Sequence, residues 1–149
     1  MTQEEKILLQ DLCGRLPYGV KCCYNMLSGE IKIDTLTCIN KVIIEHGIIY
    51  WDTYFENCDE DIPLETVRPY LRPLSSMTEE ERQKLGEEIE KDAIEPYGEI
   101  CSSGVDNLLL STCRASINFQ DYLNENMFDY RGLIPKGLAL EATEGMYNN

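Results

Sequence analysis

The pattern of hydrophobic and polar positions at the start of the chain predicts a helix followed by a β-hairpin. Thr2 and Glu5 have the spacing of a capping box and an apolar stripe follows them, so residues 3 to 13 are predicted to be helical. Residues 18 to 24 and 30 to 35 alternate in character on either side of a Gly-containing turn. This arrangement predicts two antiparallel strands.

A second hairpin is predicted directly after the first. Residues 37 to 45 and 48 to 55 are rich in Ile, Val, Tyr and Trp, which favour strands, and they flank a turn at His46 and Gly47. Together the two hairpins predict a curved antiparallel sheet of about four strands within residues 16 to 56.

The segment after these strands contains few strand-forming residues. Residues 57 to 63 are polar, which predicts a loop. Pro69 and Pro73 limit residues 64 to 74 to a helical turn or an extended connector.

A second capping box predicts the next helix. Thr78 and Glu81 have the required spacing, and residues 79 to 94 show a narrow apolar face, so this segment is predicted to be an exposed helix. The Gly and Pro residues of 96 to 107 predict a loop or a short edge strand.

The last part of the chain completes an α+β interpretation. Residues 116 to 127 have apolar side chains at helical spacing, and residues 133 to 142 predict a final strand or a packed extended segment. The expected fold class is therefore α+β, with three helices packed beside the antiparallel sheet in a single domain of residues 1 to 149.

Composition places the chain among globular proteins of the reducing cytoplasm. Of its 149 residues, 43% are hydrophobic, and its seven cysteines are an odd number without paired spacing. We therefore expect no disulfide framework, and we expect the cysteines to be small buried apolar residues. The polar N-terminus does not have the pattern of a signal peptide, and no apolar run reaches the roughly 18 residues of a membrane helix, so no membrane association is expected.

The charge is strongly acidic and unevenly distributed. The net charge is −14, yet residues 1 to 44 contain five acidic and five basic residues, whereas residues 45 to 99 contain sixteen acidic and five basic residues. Such a surface repels phosphate backbones, which disfavours direct nucleic-acid binding, and it attracts a protein partner with a basic face. The alternative is that the charge serves solubility only.

Common catalytic and metal-binding patterns are missing. His46 is the single histidine, so mechanisms and metal sites that need two imidazoles are excluded. A Cys or Ser nucleophile with His46 as its base stays open, although no nucleophile-elbow motif is present. Asn57, Asp59 and Asp61 resemble the start of a calcium loop, but Ile62 stands where that loop needs Gly. We expect no catalytic residues, no metal site and no cofactor.

Two segments combine Arg and Tyr within this acidic chain, and they are the candidate ligand-binding residues. If they meet in the fold, Arg would supply bidentate hydrogen bonds and Tyr a stacking face for an anionic metabolite or nucleotide. The alternative is that each Arg neutralises nearby carboxylates and each Tyr packs with its hydroxyl at the surface. The candidate residues are Arg68, Tyr70, Arg72, Tyr130 and Arg131.

The same segments carry a resemblance to a known family. Residues 68 to 81 (RPYLRPLSSMTEEE), 128 to 142 (FDYRGLIPKGLALEA), 144 to 147 (EGMY) and 16 to 20 (LPYGV) resemble small uncharacterised proteins encoded by phages and mobile elements of gut Bacteroidales bacteria. Thr143 stands where that family has Pro. The resemblance implies an accessory protein in a bacterial cytoplasm, and it implies no catalytic residues.

These observations lead to two functional hypotheses. The first is a non-enzymatic protein of a phage or mobile element that binds a host or phage protein through its acidic surface. The second is a small-ligand binder that holds an anion in the Arg and Tyr pocket. A deep pocket containing His46 or a cysteine thiolate would instead indicate an enzyme.

Overall fold

A computed structural model describes most of the chain. It covers residues 1–44, 47, 49–93 and 116–147. His46 and the predicted loop of residues 96 to 107 lie outside the described residues, as do two of the seven cysteines.

The first helix, α1, spans Gln3–Arg15 and begins at the predicted capping box. The Thr2 hydroxyl accepts a hydrogen bond from the Glu5 backbone N–H at 3.1 Å, and the Glu5 carboxylate accepts one from the Thr2 N–H at 2.7 Å. Leu8 and Leu12 are fully buried on one side of the helix. The prediction of a helix over residues 3 to 13 is confirmed.

The described part of the chain contains a mixed sheet of six strands. In chain order they are β1 (Lys21–Asn25), β2 (Ile31–Ile43), β3 (Ile49–Phe55), β4 (Cys58–Pro63), β5 (Arg68–Leu71) and β6 (Leu140–Glu141). Across the sheet the order is β4-β3-β2-β1-β5-β6. Neighbouring strands are antiparallel except β5 and β6, which are parallel.

The prediction of four antiparallel strands within residues 16 to 56 is wrong in detail. The first hairpin is present as β1 and β2, but the second and third predicted strands are one strand, β2. This strand contains a bulge between Leu36 and Cys38, so its first half pairs with β1 and its second half with β3. A bulge lets one long strand continue while its pairing partner changes. At the bulge the alternation of apolar and polar residues is interrupted, so the sequence pattern looks like two separate strands.

The segment predicted to be a polar loop, residues 57 to 63, also forms a strand. In β4 the side chain of Ile62 is buried in the core, while its neighbour Asp61 is exposed on the opposite face. An edge strand needs apolar side chains on one face only, so the three acidic residues of β4 do not prevent it from pairing with β3.

Two further helices follow. The second, α2, spans Glu79–Ala93, and its predicted capping box is present because the Thr78 hydroxyl and the Glu81 carboxylate exchange hydrogen bonds with each other's backbone N–H. The third, α3, covers residues 116–125. Residues 64 to 74, expected to be a helical turn or an extended connector, form a 3₁₀ turn (Leu64–Thr66), then β5, and then a second 3₁₀ turn (Leu74–Ser76).

The core is one cluster of buried apolar side chains between α1 and the sheet. Leu8 and Leu12 of α1 pack with Val20, Leu36 and Val67 in this cluster. The Tyr24 and Phe55 rings stack with centroids 4.0 Å apart, an arrangement that contributes about 0.5–1.5 kcal/mol beyond the area it buries. The α+β class is confirmed.

Candidate functional site

The two Arg and Tyr segments meet through their backbones at the end of β5. The Arg72 N–H donates to the Met127 carbonyl at 2.8 Å, and the Asp129 N–H donates to the Arg72 carbonyl at the same distance. This pairing places Arg72 beside Phe128 in a parallel bridge. The fold therefore brings the two segments together, as the ligand-binding hypothesis requires.

The Arg72 guanidinium is directed to groups inside the protein. Its Nη1 and Nη2 atoms donate to the two carboxylate oxygens of Glu81 at 2.7 and 3.0 Å. Its guanidinium carbon, Cζ, lies 4.3 Å from the centre of the Phe128 ring. These hydrogen bonds hold the pKa of Glu81 below its usual range. Arg72 thus fastens the start of α2 to β5.

Arg68 and Tyr70 lie on the opposite face of β5 from the buried Pro69 and Leu71. The Arg68 guanidinium donates to three backbone carbonyls, those of Glu65, Val67 and Gly137, at 2.8 to 3.1 Å. Three acceptors from this chain leave it little capacity for a bidentate contact with an anion.

The hydroxyl of Tyr147 lies between β1 and β5, next to the paired residues Cys22 and Pro69. It accepts a hydrogen bond from the Lys21 N–H at 3.1 Å and donates one to the Tyr70 carbonyl at 2.7 Å. Burial is the main cause that raises the pKa of this hydroxyl. A side chain near the end of the described chain therefore links two strands of the sheet.

Tyr130 and Arg131 lie beside a buried ion pair in α1. Arg15 and Asp11 are both fully buried, and the Arg15 Nε and Nη2 atoms donate to the Asp11 carboxylate at 2.7 and 3.0 Å. The guanidinium carbons of Arg15 and Arg131 lie 5.4 and 5.1 Å from the centre of the Tyr130 ring. Arg131 Nε is 3.5 Å from the Asp11 carboxylate, so this carboxylate faces two cations.

The five candidate residues are not joined into one cluster by direct contacts in the described part of the chain. No hydrogen bond, ion pair or ring contact joins Arg68 or Tyr70 to Tyr130 or Arg131 there. Each guanidinium instead contacts a carboxylate or a carbonyl of the protein itself. This arrangement follows the alternative interpretation, in which Arg neutralises nearby acceptors.

Sequence reasoning missed the residues that organise this region. Arg15 also donates to the carbonyls of Leu123 and Phe128, at 3.4 and 2.7 Å, which joins α1 to the end of α3. Asp11 and Arg15 are four residues apart and fall on the stripe of Leu8 and Leu12. An oppositely charged pair in the apolar stripe of a helix is the sequence signal that indicates such a buried pair.

The cysteines differ from the expectation of general burial. Of the five described, Cys22 alone is buried, Cys13 is exposed, and Cys23, Cys38 and Cys58 are half-buried. Cys22 and Cys23 are neighbours in β1 and therefore point to its opposite faces. Burial raises the pKa of the Cys22 thiol, which makes it a poor nucleophile.

A groove lies on the outer face of the sheet, with a volume of about 540 Å³. It is lined by Lys21 and Asp34 together with residues 143–146. Lys21 Nζ donates to the Met146 carbonyl at 2.9 Å, and the Asp34 carboxylate accepts from the Asn57 N–H at 2.7 Å. Two of the charged groups that line the groove, Lys21 and Asp34, are therefore engaged with the protein.

Acidic side chains form a continuous stretch at the β4 edge of the sheet. Residues 56–65 include five acidic residues and no Lys or Arg. Asp59 and Asp61 are exposed in β4, and no ion pair within the described residues neutralises them. We call Glu56, Asp59, Glu60, Asp61 and Glu65 the acidic edge.

Comparison with known proteins does not assign the chain to a group. No protein-family model, curated protein or solved structure matches it. None of the described helices is long and apolar enough to cross a membrane, and no described group of His, Cys, Asp or Glu side chains is arranged to hold a metal ion.

Proposed function

We propose that this protein is a non-enzymatic interaction protein that binds a basic face of another protein through its acidic edge. The acidic edge carries this proposal, because five carboxylates lie within the ten residues 56–65 and the segment contains no Lys or Arg. Unpaired carboxylates at a surface attract a basic partner over about a Debye length and repel nucleic-acid phosphates.

The fold gives this charge a defined place. β4 is the last strand of the sheet, and in the described part of the chain no backbone hydrogen bond leads from its outer side to another segment. Asp59 and Asp61 alternate along this strand, so their carboxylates project from the same face. A partner would therefore meet an ordered row of charges on a rigid element.

Exposed apolar side chains lie at the end of β2 and β3 that is opposite to the β3–β4 turn. Ile43 and Ile49 are paired there and are 65% and 49% exposed, and Ile44 and Tyr50 are also exposed. We call these four residues the hairpin end. A cluster of exposed apolar side chains bordered by charge is typical of an interaction surface.

The proposed setting is the cytoplasm of a bacterium that carries a phage or mobile element. The support for this setting is the amino-acid sequence of residues 68–81 and 128–142, which resembles that of proteins of such origin. An accessory protein of this kind would act on a host or phage protein, for which an acidic surface without catalytic groups suffices.

The experiment is affinity capture from a lysate of a gut Bacteroidales species, performed at low and at moderate salt. We expect one basic protein to be enriched at low salt and reduced at moderate salt, because exposed charge pairs are screened. Recovery of no specific protein at either salt concentration would contradict the proposal.

The alternative is a small-ligand binder that uses Arg68, Tyr70, Arg72, Tyr130 and Arg131. The contact of the two segments at Arg72 and Phe128 supports it, while the engagement of each guanidinium with this protein's own acceptors weighs against it. A thermal upshift with one member of a nucleotide panel would favour this alternative over protein binding, and a uniform lack of response would argue against it.

A further inference from the structure

Asp52 in β3 is a buried carboxylate on the outer face of the sheet. Its strand neighbours Thr53 and Phe55 lie in or against the core, so Asp52 belongs with Tyr50 and Tyr54 on the opposite face. Asp52 is nevertheless only 5% exposed. It pairs with Asn40 on one side and with Pro63 on the other.

No group among the described residues compensates the charge of Asp52. Within the described residues its carboxylate takes part in no hydrogen bond and no ion pair. Burial raises the pKa of Asp52, and the carboxylates of Asp61 and Glu65, both in the acidic edge, raise it further. Buried charges in proteins are ordinarily paired, so an unpaired one beside two like charges is costly.

The side chains around Asp52 are those that accommodate an organic cation. Tyr50 and Tyr54 stand on either side of it along the strand, and Asp61 precedes the buried Ile62 and so lies on the same outer face. The Asp61 carboxylate is close enough to the Tyr54 hydroxyl to raise its pKa. A guanidinium or ammonium group binds well where carboxylates lie beside aromatic rings.

We propose that Asp52, Asp61, Tyr50 and Tyr54 form a slot for one Arg or Lys side chain of the protein partner. This inference rests on the proposed function, and it names the place where the partner is anchored. A metal ion is not the proposed occupant, since the described carboxylates are not arranged to ligate one. The hairpin end adjoins the slot through Tyr50 and offers apolar contact to the rest of the partner.

The test titrates the full chain with a minimal probe, blocked arginine (N-acetyl-arginine methylamide). Binding is measured by NMR as chemical-shift changes of the Asp52 carboxyl carbon and the Tyr54 ring. Blocked citrulline is the matched neutral probe. We expect saturable shifts with blocked arginine and at least about tenfold weaker binding of blocked citrulline, because the charge-assisted hydrogen bonds are lost.

Variants separate the slot from general charge. We expect Asp52→Asn and Asp61→Asn each to weaken binding of blocked arginine by about tenfold. Glu79→Gln in α2 removes the same charge away from the slot and should change binding by less than about twofold. We also expect Asp52→Asn to raise the Tm of the free protein, because it removes an uncompensated buried charge.

The proposal is overturned by shifts that do not saturate, by equal binding of blocked citrulline, or by equal effects of Asp61→Asn and Glu79→Gln. A lower Tm for Asp52→Asn would also overturn it. A partner captured from lysate that still binds the Asp52→Asn and Asp61→Asn variants would refute the slot and leave the proposed function standing. Saturable binding of blocked arginine by a protein that captures no partner would support the slot and refute the proposed function.

Discussion

Removing the carboxylate of Asp11 tests how the buried ion pair supports the fold. Arg15 is 0% exposed and donates four hydrogen bonds, two of them to Asp11. Asp11→Asn keeps the size of the side chain and removes its charge. The Arg15 guanidinium would then remain buried with only neutral acceptors, namely two backbone carbonyls and the one amide oxygen of the new side chain, and Arg131 would add a second cation nearby.

The structure sets the size of the expected effect. Breaking a buried pair by removing one partner costs about 3–5 kcal/mol, because an uncompensated charge stays in the core. The total stability of such a domain is about 5–15 kcal/mol, so the loss is a large fraction of it. Urea unfolding followed by circular dichroism measures it, with Glu87→Gln as control, since that exposed side chain accepts only one bond from Gln83 and should change stability by less than about 0.5 kcal/mol.

A double variant distinguishes charge compensation from packing. Replacing Asp11 by Leu and Arg15 by Met together removes both charges, and we expect it to recover most of the stability lost in Asp11→Asn. A cost of less than about 1 kcal/mol for Asp11→Asn would refute the reasoning, because the pair would then not compensate a buried charge. A double variant as unstable as the single one would show that packing rather than charge is responsible.

Three further predictions concern other parts of the fold, each measured by urea unfolding. Arg72 holds the pKa of Glu81 below its usual range, so the ionised Glu81 stabilises the protein at neutral pH and loses this contribution as the pH falls below about 4. Glu81→Gln should therefore cost about 1 kcal/mol of unfolding free energy at pH 7. An equal cost at pH 3 would contradict this prediction. Tyr147→Phe leaves the Lys21 N–H without its acceptor, so we expect a loss of about 1–3 kcal/mol and faster exchange of that amide; unchanged exchange would argue against the link. Gly86→Ala in α2 meets open space and should stabilise the protein by about 1 kcal/mol, whereas destabilisation would show an unrecognised contact.

The sequence predicted the elements that local chemistry determines. Both capping boxes are present, and helices α1 and α2 begin where Thr2 and Thr78 predict. These signals are reliable because a capping box is complete within four residues. The first hairpin was predicted for the same reason, since its turn and its alternation are local.

Elements that depend on distant partners could not be predicted. β2 was divided in two because its bulge at Leu36 and Cys38 breaks the alternation, and only the pairing with β3 shows that the strand continues. β4 looks like a loop because its acidic residues face outward, and its assignment depends on Ile62 entering the core. The parallel pairing of β5 with β6 joins residues about 70 positions apart, which no local pattern indicates.

The candidate site shows the same division. The sequence left open whether residues 68–72 and 128–131 meet, and composition cannot indicate which acceptors their guanidinium groups choose. The Arg72 partner is Glu81, the N3 residue of the α2 capping box, so one carboxylate serves both the cap and the ion pair. Asp52 gave no signal, because an isolated Asp in a strand looks like any exposed residue until its burial is known.

The most direct measurement of the central claim compares two variants of equal net charge in the same capture experiment. The first replaces Asp59 and Asp61 of the acidic edge by Asn, and the second replaces Glu79 and Glu80 of α2 by Gln. If the acidic edge binds the partner, the first variant should recover at least about tenfold less of it than the unmodified protein, and the second should recover nearly the same amount. Equal loss in both variants, or no loss in the first, would contradict the account.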